Sequence, residues 1–126
     1  MKKEAKNISL RYSTKTVLYK VDKFFGPGVV TLLEHVDETH SLSKASKMMS
    51  LAYTKALKII KTAEANLGYP LLVRQTGGIS GGGSKLTENA HILIAEFTNF
   101  QNKIKSDADN HFLKLVEKLS KLKLDE

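Results

Sequence analysis

A chain of 126 residues, 41% hydrophobic and carrying a net charge of +7, can bury one modest core and is too apolar to remain disordered. It has no cysteine, which excludes disulfide frameworks and thiolate metal sites, and its basic balance points to an acidic partner, nucleic acid or an anionic membrane surface, without choosing between them. The charged start, residues 1–7, leads into no apolar run, and no stretch approaches the roughly 18 apolar residues of a membrane span, so a soluble cytoplasmic protein with no membrane partner is expected.

Residues 8–12 and 17–21 are rich in β-branched and aromatic side chains, with a polar stretch between them, and predict an N-terminal β-hairpin. Residues 24–28 then break the pattern with Gly26, Pro27 and Gly28. Val29, Leu32, Leu33 and Val36 recur at helical spacing, which predicts a helix over Pro27–Thr39 with Pro27 in its first turn. Ser43 is placed as the cap of a short second helix over residues 44–49. After a turn at residues 50–52, a third helix is predicted over Tyr53–Leu67, stopped by Gly68 with Pro70 just beyond. Leu71, Leu72 and Val73 form a short strand, and a loop rich in glycine, residues 77–85, follows it. Leu86 returns to the core side and Thr87 caps a long C-terminal helix. Its stripe runs through Ala90, Leu93, Ile94, Phe97, Ile104, Ala108, Phe112, Leu115, Leu119 and Leu122, and the largely polar stretch 106–110 predicts a kink or a break.

The third helix carries the sharpest chemical asymmetry. Ala56, Ile59, Ile60, Ala63 and Leu67 fall on one face and Thr54, Lys55, Lys58, Lys61 and Thr62 on the other. An apolar back and a basic front suit the DNA major groove, although lysines are common on any solvated face. Two short helices joined by a tight turn after a longer helix form a tri-helical unit, and the strand and glycine loop supply a wing based on Arg74 and Lys85. The loop is not a nucleotide-hydrolysing phosphate loop. After Gly78 and four residues the order is Gly83, Ser84, Lys85, which reverses the lysine and hydroxyl residue. His35, His40, His91 and His111 are not at metal-ligand spacing, and no nucleophile elbow or triad cluster occurs, so neither a metal site nor an enzyme is expected. Tyr53 opens the third helix and has two readings, a DNA contact or packing on the second helix.

The segments Gly26-Pro27-Gly28, Leu32-Leu33-Glu34, Asp37-Glu38-Thr39, Ser41 through Lys47 and Tyr53-Thr54-Lys55-Ala56 resemble the DNA-binding domain of the ModE family of molybdate-responsive transcriptional regulators. The most specific likeness is Leu67-Gly68-Tyr69-Pro70-Leu71-Leu72-Val73-Arg74, followed by Thr76-Gly77-Gly78 through Gly81-Gly82-Gly83 to Leu86-Thr87. The Leu-Gly-x-Pro-Leu turn and the Leu-Thr after the wing are also similar to LysR-type regulators. The resemblance spans about residues 8–100 and implies a winged helix-turn-helix that binds a two-fold-related DNA site as a homodimer through the long helix. The chain departs from the family at Ala52, where a capping serine is usual, and at Ser50, where a turn glycine is usual. Thr54, Leu57 and Ile79-Ser80 also differ, which unsettles the family's DNA preference. After Leu86 the sequence reads as helix alone, with no β-rich segment to hold molybdate, so the resemblance implies DNA binding without molybdate sensing.

The expectation is therefore a mainly α fold with small β. A winged helix-turn-helix with an N-terminal hairpin and a glycine-rich wing occupies residues 1–86, and a long dimerisation helix occupies residues 87–124. The expected function is that of a prokaryotic DNA-binding transcriptional regulator. Alternatives are a weakly specific architectural or accessory DNA-binding protein and a winged-helix protein-interaction module. DNA contacts are assigned to Ser43, Lys44, Tyr53, Thr54, Lys55, Lys58, Arg74, Thr76 and Lys85. The dimer interface is assigned to Leu93, Phe97, Ile104, Phe112, Leu115 and Leu119. Double-stranded DNA and a second copy are the expected partners, with no cofactor, no metal and no small-molecule effector site.

Overall fold

The computed structural model describes residues 9–75 and 83–122. Its elements are β1 (Leu18–Tyr19), β2 (Lys23–Phe25), α1 (Pro27–Thr39), α2 (Leu42–Met48), α3 (Tyr53–Leu67), β3 (Leu72–Gln75), β4 (Gly83–Leu86) and α4 (Glu88–Leu122). The chain divides into two compact units inside α4. One is Lys15–Thr98; the other gathers Asn99 onward with Thr14 and the residues before it.

Two antiparallel ribbons and four helices make up the Lys15–Thr98 unit, the last helix being the start of α4. Its hairpin is not the predicted one. Leu18–Tyr19 pairs with Lys23–Phe25 across a bulge, residues 9–12 form no strand, and Ile8 lies outside the described residues. Burial explains the choice. Val21 is exposed at the turn, whereas Phe25 in β2 reaches the core and meets Phe97 of α4 edge-to-face, ring centres 5.1 Å apart. The large apolar side chain settles which segment pairs, because burying it contributes about 1.5–3 kcal/mol, whereas residues 9–11 are exposed and Tyr12 packs on α4 instead.

Pro27 opens α1 as expected, since its missing amide falls where no helical partner exists. Leu32, Leu33 and Val36 of α1 form the centre of the core, with Leu42 and Ala45 of α2 and Ala56, Ile60 and Ala63 of α3. Helix α2 starts two residues earlier than predicted. Ser41, not Ser43, is its cap, accepting the Lys44 amide at 3.0 Å. Starting there lets Leu42 bury while Ser43 stays exposed. Ser46 is buried but satisfied, donating to the Ser43 carbonyl at 2.7 Å. Ser50 closes α2 in the left-handed region, φ 56°, and donates its amide to Lys47.

Gly68, φ 87°, ends α3, and its amide donates to the Glu64 carbonyl. The Glu64 carboxylate also accepts the Leu71 and Leu72 amides at 2.7 and 3.4 Å, tying α3 to the start of the wing. In the wing stem, Leu72, Val73, Arg74 and Gln75 stand opposite Leu86, Lys85, Ser84 and Gly83. Ser84 donates its amide to the His40 carbonyl at 2.9 Å, and a Cβ at Gly83 would lie 2.5 Å from that oxygen. Thr87 caps α4 as predicted, accepting the Ala90 amide at 3.0 Å, and its hydroxyl donates to the Pro70 carbonyl. Ala90 and Phe97 belong to this unit's core, which is why the division falls after Thr98 and not at Leu86.

The helix does not break at residues 106–110; α4 runs uninterrupted from Glu88 to Leu122. These residues are polar, yet none is glycine or proline, and one-turn pairs bridge them: Lys105 to Asp109 and His111 to Asp107, each at 3.6 Å. In the second unit Tyr12 packs on this helix. Its ring centre lies 4.7 Å from that of Phe112, the Lys105 ammonium sits 5.6 Å from it, and its hydroxyl donates to the Asp109 carboxylate.

Candidate nucleic-acid interface

The two faces of α3 separate as its periodicity requires. Ala56, Ile60 and Ala63 are buried, Ile59 and Leu67 are half-buried, and Thr54, Lys55, Lys58, Lys61 and Thr62 are exposed. Three lysines project from one helix at a spacing of three, so their charges line one ridge. Only Lys61 has an acidic neighbour among the described residues, Glu64 at 3.6 Å. Lys55 and Lys58 have no ion-pair partner there and keep their charge for an outside acceptor.

Tyr53 occupies the first turn of α3 and is 45% exposed, so its hydroxyl is not used up in packing. Ala52 takes the capping position with no side-chain hydrogen bond, which leaves the first amides of α3 without a side-chain acceptor. Ser43 and Lys44 are exposed in the first turn of α2.

Arg74 and Lys85 are both exposed on the wing stem. Because Val73 faces Lys85 and Arg74 faces Ser84, the two cations lie on opposite faces of the ribbon. The sequence put them at the two bases of the wing, and the register gives them opposite faces. Thr76 and residues 77–82 lie outside the described residues.

Two lysines were missed at the sequence level. Lys15, ahead of the hairpin, and Lys23, in β2, line the same cleft as Lys55 and Lys58 of α3. No local pattern announces this, because a fold-dependent approach of the hairpin to α3 creates it.

The expected dimer stripe is used unevenly. Phe97 is 4% exposed and packed on Phe25 in its own core, so it has no surface to offer a partner, and Leu93 is half-buried against the same core. Phe112 is half-buried beside Tyr12. Ile104, Leu115 and Leu119 remain exposed, joined by Leu113 and Leu122.

Among the described residues no helix is long and apolar enough to cross a membrane, and no cluster of histidines and acids is arranged to hold a metal. Residues 29–91 match the family described as bacterial regulatory helix-turn-helix protein, lysR family. The chain is 30% identical over 93 residues to the molybdenum transport protein ModE of Azotobacter vinelandii, covering 74% of this chain and 33% of that protein. It is 34% identical over 71 residues to the transcriptional regulator ModE of Haemophilus influenzae, covering 56% of this chain and 28% of that protein. The chain therefore spans about a third or less of the length of these relatives.

Proposed function

Because the chain belongs to the lysR family of bacterial regulatory helix-turn-helix proteins and has a ModE-like winged helix-turn-helix, we propose that it is a transcriptional regulator that places α3 in the DNA major groove. The observation that carries this reading is the basic ridge of α3 opposite its buried face, with Lys55 and Lys58 free of ion-pair partners among the described residues. Lys55 and Lys58 neutralise phosphates, Thr54 and Tyr53 at the start of the helix approach base edges, and Ser43 and Lys44 contact the backbone across the turn. One wing cation, Arg74 or Lys85, meets an adjacent phosphate, with Thr76 further along the wing. Two copies bind a two-fold-related site by pairing through Ile104, Leu115 and Leu119 on α4, whose exposed apolar side chains favour a partner. The molybdenum named for the relative from Azotobacter vinelandii is not assigned to these residues.

Selection of bound fragments from genomic DNA, followed by salt titration on the selected site and on random DNA, tests the proposal. Each phosphate contact steepens the salt dependence by about 0.9, so Lys55→Ala with Lys58→Ala should lower the log–log slope by about 2 per protomer. An unchanged slope removes α3 from the interface. Equal affinity for selected and random DNA replaces the regulator by an architectural protein.

A further inference from the structure

Within the Lys15–Thr98 unit, the hairpin, the start of α1 and the flank of α3 enclose a cleft of about 410 Å3. Phe24, Val29, Leu32 and Ile59 give it apolar walls. Lys15, Lys23, Lys55 and Lys58 stand around it, all exposed, and no aspartate or glutamate lines it. None of the four lysines has an ion-pair partner among the described residues. The first turn of α1 adds to this positive field, since Gly26 and Gly28 line the cleft and the helix has no side-chain cap. The volume lies within the usual range of small-molecule sites, about 300–1,000 Å3.

We propose that this cleft binds a small amphipathic carboxylate, its apolar body against Phe24, Val29 and Ile59 and its carboxylate among the lysines. An apolar ligand without charge would gain nothing from the four lysines, and a bare anion would leave the walls wet. Lys55 and Lys58 belong to both this cleft and the ridge assigned to DNA, so the ligand and DNA compete for the same charges. The competition rests on the proposed DNA reading; the ligand site does not.

The test uses the full chain and 1-naphthoate as probe, measured by titration calorimetry without DNA. Saturable binding at one site per chain is expected, with neutral 1-naphthamide bound about tenfold more weakly. Gly28 lines the cleft and a Cβ there meets nothing within 4 Å, so Gly28→Leu adds bulk at the cleft wall without a clash at its first atom, and it should abolish naphthoate binding while the thermal midpoint holds. Lys23→Glu, an exposed change outside the DNA ridge, should weaken naphthoate by about tenfold and is the second variant if Gly28→Leu does not fold. On the selected DNA site, saturating naphthoate should weaken binding about tenfold in the wild type and not in Gly28→Leu. No heat at millimolar naphthoate overturns the site, as does equal binding of the amide or undiminished binding by both variants. Naphthoate binding with no change in DNA affinity overturns the competition. A protein that binds naphthoate and no DNA at all supports the ligand site and refutes the DNA reading alone.

Discussion

Replacing Glu64 by alanine probes the joint between α3 and the wing. The Glu64 carboxylate accepts the Leu71 amide at 2.7 Å, and Leu71 is fully buried, so deleting the acceptor strands a donor away from water. A hydrogen bond to a charged group contributes about 1.5–3 kcal/mol. The second bond, to Leu72 at 3.4 Å, is long and adds little, and the Lys61 pair at 3.6 Å joins a lysine side chain 71% exposed, for at most about 0.5 kcal/mol. The expected loss for Glu64→Ala is therefore about 2 kcal/mol. With a urea slope of about 1–3 kcal/mol per molar, the unfolding midpoint should fall by roughly 1 M at unchanged slope. Glu64→Gln keeps an acceptor oxygen and should lose about half as much, and Lys61→Ala should stay within about 0.5 kcal/mol of the parent. The reasoning is refuted if Glu64→Ala unfolds with the parent, or if Lys61→Ala costs as much as Glu64→Ala.

Ser41→Ala should cost about 1 kcal/mol in the same assay and Ser43→Ala almost nothing, because only Ser41 caps α2. Ser50→Gly should stabilise by about 0.5–1 kcal/mol, the left-handed backbone at that residue costing serine more than the added unfolded-state freedom costs glycine. The Tyr12 hydroxyl is pushed up to about 12, first by its hydrogen bond to Asp109, then by desolvation and by the carboxylate's charge. Its folded value lies above the ordinary 10, so its contribution to stability is complete below pH 10 and disappears as pH rises through about 12. Absorbance titration of the phenolates should show a late component that is lost in Tyr12→Phe.

Helices α1 and α3 were legible to the residue because their boundaries are written in local chemistry. Pro27 marks a start, Gly68 marks a stop, and Val29, Leu32, Leu33 and Val36 share a face. The start of α2 was not, since Ser41 and Ser43 can each cap a helix; the burial of Leu42 decides, and burial is a property of the whole unit. The hairpin failed for the same reason: residues 8–12 have strand composition, but Phe25 is the side chain with a partner, Phe97, 72 positions away (97 − 25). Tyr12 was read as part of a strand, and nothing near it in sequence points to Asp109. Of the proposed interface, the α3 ridge was readable from spacing alone. The opposed faces of Arg74 and Lys85 needed the ribbon's register, and the approach of Lys15 and Lys23 to α3 needed the fold.

His40 and Ser41 are neighbours, yet they serve different parts of the molecule. The His40 carbonyl holds the returning wing strand at Ser84, and the Ser41 side chain starts α2. The single peptide bond between them is therefore a common pivot for the wing stem and the helix-turn-helix. His40 itself sits in the left-handed region, φ 57°, and the backbone of Gly83 passes too close to its carbonyl to tolerate a side chain. A methyl group at Gly83 would act as a wedge, and its thrust would arrive at the entrance of α2 as well as at the wing. The wing stem and the entrance of α2 are thus anchored at one corner, where a side chain at residue 83 would disturb both.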